Sequence, residues 1–190
     1  MAKRRTGYVA LLRGINVSGK NKIPMTDLRS LCTGIKCEEV NTYIQSGNVV
    51  FNAVDSAQSL EKRLETAIAE RFSLTIPVIV RTASVWHKYV KGNPFPNEAE
   101  TEANWILLCL SKRPPHAAAA SKLQQHVTQG ERVIKKGDAI WIHYANGIAR
   151  SKLTPVLLDR YAGSPVTARN WRTVLKLGSM AQEVCTVAGL

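Results

Sequence analysis

The chain has 190 residues, of which 45% are hydrophobic and 21% are charged, which is ordinary for a globular protein. Its 26 Lys and Arg outnumber 14 Asp and Glu, and the net charge of +12 would attract nucleic acid, anionic membranes or anionic small molecules. No apolar run approaches the roughly 20 residues of a membrane span, so an integral membrane protein is excluded and no membrane partner is predicted.

Residues 1–82 predict the order βαββαβ. The predicted strands are Tyr8–Leu12, Val40–Gln45, Asn48–Asn52 and Ile76–Val80. Pro24 suits the first turn of a helix for which Gly34 is a plausible C-cap. Asp55 and Gln58 resemble a capping box. The second helix then carries an apolar stripe of Leu60, Leu64, Ile68 and Phe72.

The same order repeats after a connecting segment, residues 83–103, which contains an amphipathic stretch around Trp86 and the run Asn93–Pro96. In residues 104–190 the predicted strands are Trp105–Leu110, Arg132–Lys135, Ala139–Tyr144 and Val166–Ala168. The predicted helices are Pro115–Val127, Lys152–Tyr161, which Gly163 stops, and Trp171–Val184. The sequence therefore predicts an α+β protein of two consecutive ferredoxin-like subdomains, the second with an added C-terminal helix.

The cysteines give no metal or disulfide framework. Cys32, Cys37, Cys109 and Cys185 form no CxxC pair, and the four histidines lack ligand spacing. The run Tyr8–Leu12 is too short for the core of a secretory signal. We therefore expect free thiols in a reducing cytoplasm, no metal and no cofactor.

The segment Gly14–Asn21 nearly fits the phosphate-binding pattern GxxxxGK[ST]. Asn21, however, replaces the hydroxyl that would hold Mg²⁺, and Pro24 delays the helix whose first amides would cradle a phosphate. The segment is therefore interpreted as a polar binding loop or a plain connector rather than a P-loop.

Strand direction predicts two clusters of polar and cationic side chains. In a βαββαβ unit the first two strands run the same way, so the loop after the first and the turn after the second share one edge. That edge would collect Arg13, Asn16, Asn21, Gln45, Ser46 and Asn48. In the second unit the last two strands also run the same way, and their ends would collect Arg150, Ser151, Lys152, Arg169 and Asn170. Such groups hold a carboxylate, a phosphate or a base edge, although Asn can also serve turns and Arg and Lys can simply face water.

Three functions stay open on the residues alone. The oligomeric state is not indicated by the sequence, and a monomer is assumed. The first is the binding of an anionic ligand, a nucleotide or nucleic acid, by the two clusters. The second is an enzyme acting on a small anionic metabolite in a cleft between the domains. The third is a protein-protein interaction module, which an exposed apolar patch around Trp86, Phe95 or Trp171 would favour.

Five stretches of the chain resemble an uncharacterised, mainly bacterial family, domain-of-unknown-function family 1697. These stretches are Tyr8–Met25, Thr42–Phe51, Asn93–Pro96, Ser151–Leu153 and Thr167–Val174. Ser18 departs from the Gly that is usual there. The resemblance implies two ferredoxin-like subdomains and marks both predicted clusters as family hallmarks. It implies no catalytic role.

Overall fold

The computed structural model describes residues 5–187, with only the backbone of Val187. The chain forms two compact units, one from Met1–Val90 with Lys176–Leu190 and the other from Lys91–Leu175. The second unit is therefore inserted into the sequence of the first. This division differs from the predicted boundaries, which assigned the whole of the C-terminal helix to residues 104–190.

The first unit has a four-stranded antiparallel sheet in the order β2-β3-β1-β4. Its strands are β1 (Thr6–Leu12), β2 (Glu38–Tyr43), β3 (Asn48–Ala53) and β4 (Val78–Thr82). The helices α1 (Met25–Gly34) and α2 (Ala57–Phe72) complete the βαββαβ order, and α3 (Ala83–Lys91) follows. This strand order and connectivity confirm the ferredoxin-like prediction.

One face of this sheet packs against α1 and α2. Leu60, Leu64 and Ile68 recur every four residues on α2, so they lie on one side of the helix and are fully buried in this core. Tyr8 and Phe51 are register partners on the same face and stack with ring centroids 5.8 Å apart. Both rings are core residues rather than a platform for nucleic-acid bases.

The second unit repeats the arrangement, with a sheet in the order β6-β7-β5-β8. Its elements are α4 (Glu98–Thr101), β5 (Ile106–Ser111), α5 (Ala119–Gln124), β6 (Arg132–Lys136), β7 (Ala139–His143), α6 (Pro155–Ala162), β8 (Val166–Asn170) and the start of α7 (Trp171–Val187). The helices α5 and α6 cover one face of the sheet with a core that includes Leu123, Ile142 and Leu158.

The C-terminal half of α7 belongs to the first unit because it packs on the second face of that sheet. The Asn52 side chain on β3 donates from Nδ2 to the Val184 carbonyl at 3.1 Å. A Cβ on Gly7 of β1 would lie only 2.5 Å from Cys185 Sγ, so the helix approaches the strand closely at a residue without a side chain. These contacts join residues more than 130 positions apart, which local sequence patterns do not reveal.

Two local predictions are wrong. Ser56, not Asp55, caps α2, since its hydroxyl accepts from Ser59 N, while Asp55 forms an ion pair with Arg63. The predicted helix Pro115–Val127 is shorter in the structure, where only α5 is helical. After α5 the chain forms a narrower turn, in which His126 N donates to the Leu123 carbonyl at 2.9 Å.

Acidic side chains of α2 bond the outer amides of the edge strand β4. Glu65 accepts from Val78 N and Glu61 accepts from Val80 N, each at 2.9 Å. The two glutamates are four residues apart, one helical turn, and the two amides are two residues apart on one edge of the strand. The edge is thereby closed to pairing with another strand.

Both edges of the second sheet are treated in the same way. Asp159 of α6 accepts from Val166 N of β8 at 2.8 Å, and Gln124 of α5 accepts from Val133 N of β6 at 2.8 Å. Hydrogen bonds from a neighbouring helix therefore cover three of the four edge strands in residues 5–187.

Within residues 5–187, none of the helices combines the length and apolar character needed to cross a membrane.

Candidate functional site

The loop from Arg13 to Pro24 and the turn of residues 44–47 meet at one edge of the first sheet, which we call the loop edge. Leu12 N donates to the Gly47 carbonyl at 2.8 Å, and Asn16 Nδ2 donates to the Gln45 carbonyl at 2.8 Å. The structure thus brings Asn16 and Gln45 together, as the direction of the strands predicts.

The asparagines of the loop hold its shape. Asn16 Nδ2 also donates to the Ile23 carbonyl, and Ile23 N donates back to Asn16 Oδ1, both at 2.9 Å. Asn21 Nδ2 donates to the Gly14 carbonyl at 2.9 Å, and Asn16 N donates to the Asn21 carbonyl at 3.1 Å. The side-chain amides of Asn16 and Asn21 therefore bond the loop backbone. These two residues hold the other groups of the loop in position and do not themselves present a free amide to a ligand.

The turn is built in a similar manner. Asn48 is fully buried and donates from Nδ2 to the Tyr43 carbonyl at 3.0 Å and to Ser46 Oγ at 2.9 Å. Gly47 has a φ of 75°, and a Cβ there would lie 2.7 Å from Leu12 Cβ. Only glycine fits this position, because both the conformation and the contact exclude a side chain.

Left-handed backbone is concentrated at the loop edge. The φ values are 66° for Gly14, 54° for Asn16, 49° for Ser18, 77° for Gly19, 49° for Asn21 and 48° for Ile44. Asn tolerates this region, but a β-branched residue such as Ile44 is a true outlier there. Strain of this kind persists only where the surroundings over-determine it, and it clusters at functional sites.

The loop edge is cationic. Arg13, Lys20 and Lys22 lie on the loop, and neither residues 13–24 nor the turn of residues 44–47 contain an acidic residue. Lys20 and Lys22 are exposed, whereas Arg13 is half-buried beside the strand end. The sequence points to Lys20 only through the near match to a P-loop, although the absence of acidic residues is the clearer signal for both lysines.

The loop does not have the geometry of a P-loop. Val17 and Lys20 form an isolated antiparallel bridge, with Lys20 N donating to the Val17 carbonyl at 2.9 Å. The helix α1 begins only at Met25, with Pro24 as its N-cap. The amides of Lys20 and Ile23 thus serve the loop itself and do not converge on a phosphate.

The predicted second cluster is divided between different elements. Ser151 donates its hydroxyl to Glu131, next to the edge strand β6, and accepts from Leu153 N at 3.1 Å. Burial alone would raise the pKa of the Glu131 carboxyl, but hydrogen bonds from Ser151 and from the amides of Gln129 and Thr128 lower it overall. Ser151 therefore takes part in closing a turn. Arg150 and Lys152 beside it are exposed.

Arg169 and Asn170 lie on β8, which β5 separates from β7. Arg169 Nη1 donates to Thr167 Oγ1 at 2.9 Å and to the Ala168 carbonyl at 2.8 Å. Burial lowers the pKa of its guanidinium to about 10, which leaves the group charged at neutral pH. Asn170 Oδ1 accepts from Thr173 N at 3.0 Å and so caps the start of α7.

A further polar group in the second unit surrounds Phe95 of the Asn93–Pro96 run. Arg132 stacks over the Phe95 ring at 4.9 Å and places Nη2 3.3 Å from His143 Nδ1. Because arginine only donates, Nδ1 accepts and Nε2 carries the proton toward Glu102 Oε2 at 2.5 Å. His143 is buried, so this network fixes the fold of the unit.

Trp86, Phe95 and Trp171 are all buried. They therefore form no exposed apolar patch of the kind that would indicate a partner surface at these residues. Among the described residues, no group of three or more His, Cys, Asp and Glu side chains is arranged to hold a metal ion.

A family model described as "Protein of unknown function (DUF1697)" matches residues 5–141. The chain belongs to this family. The match includes the loop edge and the Asn93–Pro96 run, whereas Ser151–Leu153 and Thr167–Val174 lie beyond it. The function of this DUF1697 chain is accordingly unknown.

One solved structure shows the same fold over nearly the whole chain. It is described as the conserved bacterial protein SP0830 from Streptococcus pneumoniae, and it is 24% identical with a TM-score of 0.72. The match covers 94% of this chain and 99% of that chain. The comparison with curated proteins finds no match. The likeness supports the α+β fold with its C-terminal helix and carries no function.

Proposed function

We propose that the protein binds nucleic acid through the loop edge, where Arg13, Lys20 and Lys22 contact phosphate groups. The observation that carries this proposal is three cations on one internally braced loop that contains no acidic residue. A loop whose shape is already held loses little conformational entropy on binding, so ordering the loop reduces the binding free energy only slightly.

The exposure of the loop favours a long ligand over a small one. Val17 and Ile44, on the loop and on the turn, are exposed together with Lys20 and Lys22. An open surface of this kind suits the repeated phosphates of a strand, whereas a nucleotide or metabolite is more often enclosed in a pocket. The net charge of +12 would add a general attraction for nucleic acid.

We also propose a cytoplasmic location, because the cytoplasm contains nucleic acid and keeps free thiols reduced.

The experiment is a fluorescence-anisotropy titration of the full chain with a labelled single-stranded RNA, a DNA of the same sequence and labelled ATP. The affinity for the strands should fall as salt rises, with a log–log slope of about −2, as expected for three phosphate contacts on a single strand. Lys20→Ala combined with Lys22→Ala should bring the slope to about −0.7, because one contact then remains.

The matched control is Lys62→Ala with Lys88→Ala, which removes the same charge from exposed positions on α2 and α3. This pair should leave the slope nearly unchanged. Absence of strand binding at low salt would overturn the proposal, as would an equal loss in both double variants. Tighter binding of ATP than of the strands would point instead to a nucleotide ligand.

A further inference from the structure

Two acidic side chains of the first unit line a common groove and have no cationic partner in the described part of this strongly basic protein. Within residues 5–187, Glu39 of β2 and Glu183 of α7 form no ion pair with a Lys, Arg or His. Ser179 Oγ lies 3.1 Å from Glu183 Oε1, so the hydroxyl orients that carboxylate without neutralising it. Both glutamates are exposed, which leaves a local negative charge in a positive overall field.

These two residues line one groove between the edge strand β2 and the C-terminal half of α7. The groove has a volume of about 340 Å³ and also includes Tyr43 and Lys176. Its floor is apolar where Met180 and Val184 of α7 are buried. All of these residues belong to the first unit.

Among the four edge strands in residues 5–187, β2 differs from the other three. Helix side chains bond outer amides of β4, β6 and β8. In the described part of the chain, no side chain accepts a hydrogen bond from an amide of β2. The regular part of this edge, residues 41–43, follows the register shift between Glu38 and Asn41, where Glu39 has a φ of 51°. Beside a groove, such an edge is a template for a short added strand.

The groove has a polarity along its length. Asn52, the register partner of Glu38, bonds the Val184 carbonyl, so Glu183 lies at the end of the groove where β2 begins. Lys176 is seven residues earlier on the helix, about 10 Å away along its axis. The groove is therefore acidic at one end and basic at the other, with a span of about three strand residues.

We propose that this groove binds an extended peptide segment of a partner protein, which adds to β2 as a strand and places a Lys or Arg side chain between Glu39 and Glu183. Main-chain hydrogen bonds to β2 supply affinity, and the unpaired glutamates select the basic side chain. An apolar side chain of the segment contacts Met180 and Val184. The acidic end repels phosphate, so the groove is separate in its chemistry from the loop edge.

The experiment uses the full chain and three labelled peptides of about eight residues, in which valine alternates with lysine, with glutamate, or with lysine on an N-methylated backbone. Fluorescence anisotropy should show that the valine–lysine peptide binds at least about tenfold more tightly than either of the others. Glutamate removes the charge complementarity, and N-methylation removes the donors that a strand needs. Equal affinity for all three peptides would overturn the proposal.

The protein variant is Glu39→Lys with Glu183→Lys, which should weaken binding of the valine–lysine peptide by about tenfold or more. Glu70→Lys with Glu100→Lys changes two exposed acids outside the groove by the same charge and should weaken it far less. Circular dichroism checks that both variants are folded. Sedimentation that shows self-association of the unmodified chain, abolished by the groove variant, would assign the groove to a second copy and overturn the peptide assignment.

Discussion

Asn16 illustrates what a single side chain does at the loop edge. Its position after β1 makes its approach to the turn of residues 44–47 predictable, because the two strands run the same way. The direction of its side-chain amide is not predictable, because the amide can donate equally well to a backbone carbonyl or to a ligand. In the structure it donates to the carbonyls of Ile23 and Gln45. The sequence therefore places this residue at the loop edge, but it does not show whether the side-chain amide supports the loop backbone or binds a ligand.

Gly47 joins the turn to the strand end, and its replacement is a sharp test of that joint. Gly47→Ala should destabilise the protein by about 2–4 kcal/mol, because the new Cβ combines a left-handed φ with contacts of 2.7 Å to Leu12 and 2.8 Å to Ile15. Chemical denaturation of the purified variant measures the loss.

Gly19→Ala is the matched control for this measurement. Its φ of 77° is equally left-handed, but a Cβ there meets no atom within 4 Å. We expect a cost of only about 1 kcal/mol, which reflects backbone conformation alone. Equal costs in the two variants would show that the close contact at Gly47 does not contribute.

Helices and strands were predictable to the extent that their faces alternate between core and solvent. The α2 stripe is regular, and three of its four predicted residues are fully buried. The strand β2 starts two residues earlier than predicted, at Glu38, because it is an exposed edge strand with a register shift before Asn41 and so lacks an apolar alternation. Its pairing with β3 follows from the predicted βαββαβ order, but the register shift within that pairing is not encoded in the composition.

The edge of β4 depends on an interaction between elements, the bond from Val80 N to Glu61. Glu61→Ala should cost about 2–4 kcal/mol, because it leaves a buried amide without its acceptor and removes the carboxylate that lies 3.7 Å from Arg81. Urea denaturation followed by circular dichroism measures the change in unfolding free energy.

Glu70→Ala provides the comparison on the same helix. Glu70 is exposed, so its removal should change stability by no more than about 0.5 kcal/mol. If Glu61→Ala were as mild as Glu70→Ala, the carboxylate would not be needed to cover the edge of β4.

The overall architecture could be predicted from the sequence only in part. Two βαββαβ units could be predicted because each repeats a local pattern of strands and helices, and the observed strand orders agree with that prediction. The assignment of the second half of α7 to the first unit could not be predicted, because it depends on contacts between distant residues, such as that between Asn52 and Val184.

Removal of the chain from Lys176 onward tests this division. The second face of the first sheet would lose its contacts with Val184 and Cys185, so amide hydrogen exchange should accelerate in β1 and β3. Exchange in β5 and β7 should change much less, since their unit ends at Leu175. Uniform acceleration in both sheets would contradict the division.

The position of α7 also bears on the order of events during synthesis. Ribosomes release the amino-terminal part of a chain first, and early domains usually finish folding first. Here the segment Lys91–Leu175 leaves the ribosome complete, while the first unit still awaits the helix that carries Val184. The unit whose residues are translated first is therefore the last to be completed, and until then the second face of its sheet lacks the contacts that α7 supplies.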